Sequence, residues 1–80
     1  MDAHLKAAAK ALKAGELDEA FDAAKLAMKQ EGGTSNPKVH VAFGAILSAR
    51  GDPEMAEKAY RSALAIDSKN QAGCRGLAAL

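Results

Sequence analysis

The stretch Gly51-Asp52-Pro53-Glu54-Met55-Ala56-Glu57-Lys58-Ala59-Tyr60-Arg61-Ser62-Ala63-Leu64 decides the fold. A glycine can take the left-handed backbone conformation that closes a helix. The aspartate after it offers an oxygen to the free N–H groups of a new helix, and proline suits the first helical position. Beyond the turn, Ala56, Ala59-Tyr60, Ala63-Leu64 and Ile66 recur at steps of three and four, one apolar stripe with charge opposite. One helix ends, a two-residue turn follows and a second helix begins.

The same punctuation recurs on either side. Gly15, Gly32-Gly33, Asn36-Pro37 and Asn70 cut the rest of the chain into pieces of helical length. The spacing predicts five helices, over 2–14, 17–31, 37–50, 53–67 and 70–79. Asn36, Asp52 and Asn70 are the expected caps. In the second helix Leu17, Ala20, Phe21, Ala24 and Ala27-Met28 form the apolar stripe.

Composition agrees with helices. The chain has 80 residues, 49% of them apolar but only 4% aromatic, so much of the core must be alanine. Alanine allows close packing but contributes little transfer energy per side chain. The net charge of +1 gives no general electrostatic reason for nucleic-acid binding. The single Cys74 cannot form an intrachain disulfide and fits a reducing compartment, cytosol or nucleus. No apolar run approaches the roughly 20 residues that span a bilayer. Met1-Asp2-Ala3-His4 lacks the basic-then-apolar form of a signal peptide.

Residues 1–34 and 37–70 carry one pattern, with 35–36 as linker. Asn36 and Asn70 stand 34 residues apart, whereas Gly15 and Gly51 stand 36 apart. The first junction therefore holds two extra residues, which Gly32-Gly33-Thr34-Ser35 can supply. A third unit, or a capping helix, begins at Gln71. Small residues at Ala20, Gly44, Ala56 and Ala63 would let helix axes approach to about 8–10 Å. Phe43, Tyr60, Leu64 and Leu77 would fill the gaps between hairpins.

A period of 34 with two helices per unit resembles the tetratricopeptide repeat family. Phe43-Gly44 sits where the family has Leu-Gly, Gly51-Asp52 at its hairpin turn, Ala56 at its small position, Tyr60 at its aromatic and Ala63-Leu64 at its next packing pair. The chain departs from the family at His40, where the family has Trp, and at Ser68, where it has Pro. The first unit departs further, with His4 for Trp, Ala7-Ala8 for Leu-Gly and Ala24 for the aromatic. The resemblance implies an all-α solenoid of two repeats plus a fifth helix, and a protein-binding scaffold without catalytic or cofactor sites.

Within that family, Lys29-Gln30-Glu31, Val41-Ala42-Phe43-Gly44, Ala56-Glu57-Lys58-Ala59-Tyr60 and Arg75-Gly76-Leu77-Ala78 resemble the N-terminal repeats of the large tetratricopeptide subunits of superkiller (Ski) complexes. That resemblance implies a cytoplasmic scaffold for helicase and β-propeller subunits, in 3′-to-5′ messenger-RNA decay by the exosome. The alternatives are a co-chaperone or assembly adaptor, and a structural spacer that meets only neighbouring repeats. The chaperone-tail clamp of the family would fall on Leu5, Ala9, Ala42, Ala72 and Gly76, none of which can donate a side-chain hydrogen bond.

No residue pattern calls for chemistry. His4, His40 and Cys74 hold matching places in three successive helices, about 8–10 Å apart in such packing. Zinc needs its ligand atoms about 2.0–2.3 Å from one ion. No base is placed to activate Cys74. Gly32-Gly33 lies between helices and is no phosphate cradle. The chain is read as a non-enzyme with no metal or cofactor.

Lys6, Lys10 and Lys13, with Lys25 and Lys29 on the next helix, read either as a solvated face or as a basic patch for an acidic peptide or RNA, partly offset by Asp18, Glu19 and Asp22. The inner surface should be formed by Leu5, Ala9, Leu12 and Lys13, followed by Lys38, Val41, Ala45, Ser48 and Ala49. Such a surface suits an amphipathic helix or an extended peptide, or further repeats of the same chain. Gly73 and Gly76 each cost roughly 1 kcal/mol in a helix interior. The fifth helix is therefore expected to fray, and the chain to be a fragment of a longer array.

Overall fold

The computed structural model describes residues 2–30 and 35–80. Five helices account for nearly all of them: α1 (Asp2–Lys13), α2 (Leu17–Lys29), α3 (Pro37–Ala49), α4 (Pro53–Ile66) and α5 (Gln71–Ala79). The described residues contain no strand. The fold is all-α, built on the helical hairpins α1–α2 and α3–α4 with α5 packed on α4. Apart from the end of the second helix, every helix bound falls within one residue of the expected one. The expected end of the second helix at 31, and Gly32, Gly33 and Thr34 of the junction, lie outside the described residues.

The hairpin turns are two copies of one device. Gly15 has φ +80° and Gly51 has φ +85°, the two left-handed residues of the described chain. At the first, Gly15 N–H donates to the Leu12 carbonyl and Glu16 N–H to that of Ala11, at 3.1 and 2.8 Å. At the second, Gly51 N–H donates to Ser48 and Asp52 N–H to Leu47, at 3.1 and 2.9 Å. Both are Schellman closures, in which the residue after the glycine bonds back five positions.

The next helix starts differently in the two hairpins. Asp52 accepts from Met55 N–H at 3.3 Å and so caps α4. Glu16 occupies the cap position of α2 but makes no side-chain cap bond. Asn36 accepts from Lys38 N–H at 3.0 Å and Asn70 from Gly73 N–H at 2.8 Å, capping α3 and α5.

The core is mostly alanine, as the composition requires. Ala8, Ala20, Ala24, Ala27, Val39, Ile46, Ala56, Tyr60 and Ala63 are its buried apolar residues, and among the described residues no polar or charged one is buried with them. Each buried residue of the first hairpin has a buried counterpart 36 positions on: Ala8 and Gly44, Ala20 and Ala56, Ala24 and Tyr60, Ala27 and Ala63. The Cα atoms span 29 × 26 × 17 Å. The short dimension fits two layers of helices at the usual separation of about 8–10 Å. One layer is α1, α3 and α5, with α3 touching both others; the second is α2, against α1 and α3, and α4, against α3 and α5.

The fifth helix runs unbroken from Gln71 to Ala79 across both glycines. Gly73 is buried, and a β-carbon there would stand 3.3 Å from Leu64 Cγ and Cδ2. Gly76 lies directly on the Tyr60 ring. The close approach of α5 to α4 therefore rests on Gly76, where a side chain would run into the Tyr60 ring, and to a lesser degree on Gly73.

Candidate functional site

The residues that separate α1 from α3 form an apolar cleft of about 280 Å³. Its lining is Leu5, Ala8, Ala9 and Leu12 from α1, with Lys38, Val41, Ala42, Ala45 and Ile46 from α3. The geometry follows from helical periodicity. Leu5, Ala8 or Ala9, and Leu12 fall on one side of α1 at steps of three and four, and Lys38, Val41 or Ala42, and Ala45 do so on α3. The side chains at the centre are alanines, so the two helices leave a depression between the larger Leu5, Leu12 and Val41.

Six residues expected on an inner surface, Leu5, Ala9, Leu12, Lys38, Val41 and Ala45, are brought together here. Lys13, Ser48 and Ala49 are exposed and lie outside the cleft, near the C-terminal ends of α1 and α3. Ala8, Ala42 and Ile46 line it instead. Ala8 and Ile46 are buried: they point from each helix towards its neighbour and form the floor. Their positions at i+3 from Leu5 and i+4 from Ala42 were visible as periodicity. Which side of the stripe meets the other helix was not.

Of the five positions that the chaperone-tail clamp would use, Leu5, Ala9 and Ala42 line the cleft, Ala72 is exposed and Gly76 packs on Tyr60. Lys38 is the one charged group of the lining.

Other depressions are built differently. A hollow of about 310 Å³ between α4 and α5 is lined by Pro53, Glu54, Glu57, Leu77 and Leu80. On the α2–α4 side, Met28, Phe43, Leu47 and Met55 share a shallow surface with His40, Lys58 and Ser62. Next to it, Phe21 meets Phe43 edge-on, centroids 5.5 Å apart and planes at 84°. The Lys25 Nζ and the Arg50 guanidinium lie 4.9 and 5.0 Å from the Phe21 centroid. Arg50 also reaches Asp18 at 3.8 Å. This cluster joins α2 to the second hairpin.

At the outer end, Lys10 shares a surface with Glu16 and Glu19 beside Ala7, Ala11 and Ala14. The Glu19 carboxyl is held above its ordinary pKa, first by a hydrogen bond with Glu16, then by the repulsion between the two charges, with a smaller contribution from desolvation. Burial alone pushes the Tyr60 phenol upward.

His4 and His40 are half-buried, and Cys74 is an exposed free thiol. Among the described residues no group of three or more His, Cys, Asp or Glu could hold a metal ion. No helix among them is long and apolar enough to cross a membrane. Compared with protein-family models, curated proteins and solved structures, the chain matches none.

Proposed function

We propose that this protein is an interaction scaffold of the tetratricopeptide type, which receives a segment of a partner protein in the α1–α3 cleft. The observation that supports the reading is the lining itself. Eight of the nine residues named for the cleft are apolar, and they come from two helices that are not consecutive in sequence. A cleft of about 280 Å³ is just under the roughly 300–1,000 Å³ of pockets that enclose small ligands. An open apolar depression lined by two helices suits side chains projecting from a helix or strand.

The test is a titration with amphipathic peptides followed by amide NMR. The reading expects saturable shifts at Leu5, Ala9, Val41 and Ala45, and their loss in Ala45→Glu, which places a carboxylate in the cleft. Shifts that spread evenly over all five helices, or that survive Ala45→Glu, would remove it.

The finer reading places the chain among the large tetratricopeptide subunits of superkiller complexes. It is supported by the four sequence segments and predicts an RNA helicase and a β-propeller protein as partners. Affinity purification from cells, with mass spectrometry, checks it: recovery of the chain without a helicase would end that assignment.

A further inference from the structure

We infer that the segment received by the α1–α3 cleft is an amphipathic helix with acidic residues flanking its apolar face. This rests on the cleft being a docking site and specifies what it selects. The net charge of +1 conceals a division by layer. The layer of α1, α3 and α5 contains Lys6, Lys10, Lys13, Lys38 and Arg75 but a single acid, Asp2, at the first residue of α1. The layer of α2 and α4 contains Asp18, Glu19, Asp22, Glu54 and Glu57 beside Lys25, Lys29, Lys58 and Arg61. The layer that forms the cleft is thus cationic and the layer behind it is close to balanced.

Position on the helices makes this specific. Lys10 turns to the outer end, where Glu16 and Glu19 share its surface. Lys6 and Lys13 stand three positions before and four after the cleft residue Ala9, which puts them along the α1 rim, and both are exposed. Lys38 lines the α3 side. Arg75 is exposed on α5, 34 positions after the cleft residue Val41. Among the described residues the ion pairs are Arg50 with Asp18 and Arg61 with Glu57, so neither involves these four cations. An apolar floor between unpaired cationic rims is complementary to a Leu- or Ile-bearing helix with Asp or Glu on its flanks. A nucleic-acid strand is disfavoured, because the lining has no aromatic ring on which a base could stack.

The probes are three synthetic helical peptides of about four turns with one leucine face at i, i+3, i+4 and i+7. Their flanks are all Glu, all Gln or all Lys. At about 0.01 M ionic strength, where charges interact over about 30 Å, the Glu peptide should bind at least tenfold more tightly than the Lys peptide, with Gln between. At about 1 M, where that length is about 3 Å, the three should converge. A triple variant, Lys6→Glu with Lys13→Glu and Lys38→Glu, should invert the order at low salt; circular dichroism confirms its fold.

Equal binding of the three peptides to the cleft would overturn the acidic flank and leave the cleft as a docking site. No binding of any peptide would overturn both. Displacement of the Glu peptide by an oligouridine of similar length, at lower concentration, would assign the cations to RNA and overturn the inference.

Discussion

Gly44 lies so close against the Tyr60 ring that a β-carbon added to it would stand 2.7 Å from both Cε1 and Cζ. Gly76 of α5 lies close against the same ring. Glycine is therefore required at Gly44 by contact with a side chain, although its backbone is ordinary helix. In the first hairpin the matching pair is Ala8 and Ala24, both buried. The two hairpins thus divide the same space as small against large in one case and small against small in the other.

Gly44→Ala should consequently destabilise the protein. Helix propensity alone would favour alanine by about 1 kcal/mol, but overpacking costs about 1–3 kcal/mol. A net loss of about 1 kcal/mol in urea unfolding is expected. In a Tyr60→Leu background the ring is gone, and adding Gly44→Ala should raise stability. The same sign in both backgrounds would show that the ring does not set the choice of glycine.

Phe21 should matter more to the first hairpin than its half-exposed position suggests. Around it the core is Ala8, Ala20, Ala24 and Ile46, and its edge-on contact with Phe43 carries packing across to the second hairpin. Phe21→Ala should cost about 2–3 kcal/mol, below the usual range for a fully buried ring. Arg50→Ala should cost under about 1 kcal/mol, since its contacts are an exposed carboxylate and a ring face. Thermal unfolding followed by far-UV circular dichroism distinguishes them; equal losses would mean that the cation, not the ring, holds the hairpins together.

Much of the fold was legible because its signals are local. Gly15 and Gly51 close helices through their own backbone, and Asn36, Asp52 and Asn70 reach N–H groups two or three residues away. The packing of α5 was not legible: Gly73 and Gly76 meet Leu64 and Tyr60 on another helix, while their intrinsic helix cost is visible in the segment itself. The cleft was legible in part. Lys13, Ser48 and Ala49 satisfy the helical period, yet which part of that surface meets a neighbour depends on where α1 and α3 diverge. The division of charge was present in the sequence but vanishes when summed over the chain; it emerges only helix by helix.

Glu16→Ser should stabilise the protein. It supplies the cap oxygen that α2 lacks and places serine three residues before Glu19, the spacing of a capping box. A gain of about 1 kcal/mol is expected from the cap. The substitution also removes the group that raises the Glu19 pKa. A carboxyl with a raised folded-state pKa favours the folded protein at low pH, and that contribution is lost as pH rises through the folded value. The variant's advantage should therefore be larger at neutral pH than below the ordinary carboxylate range. Chemical unfolding at the two pH values checks this; an advantage that shrinks as pH rises would contradict the role given to Glu16.

Asn70→Ala should loosen α5 while leaving the hairpins intact. At nine residues, α5 is shorter than the roughly 12–15 at which isolated helices become even marginally stable in water, so its cap and its contacts must hold it. Asn70 Oδ1 accepts from Gly73 N–H at 2.8 Å, and losing such a cap costs about 1 kcal/mol. If α5 opens as its own unit, amides near its C-terminal end, such as Leu77, should exchange about fivefold faster, while those of Ile46 and Ala63 keep their protection. If α5 opens only with the whole protein, all of them accelerate together. That result would make α5 part of one cooperative unit with both hairpins, tied in through the contact of Gly76 with Tyr60.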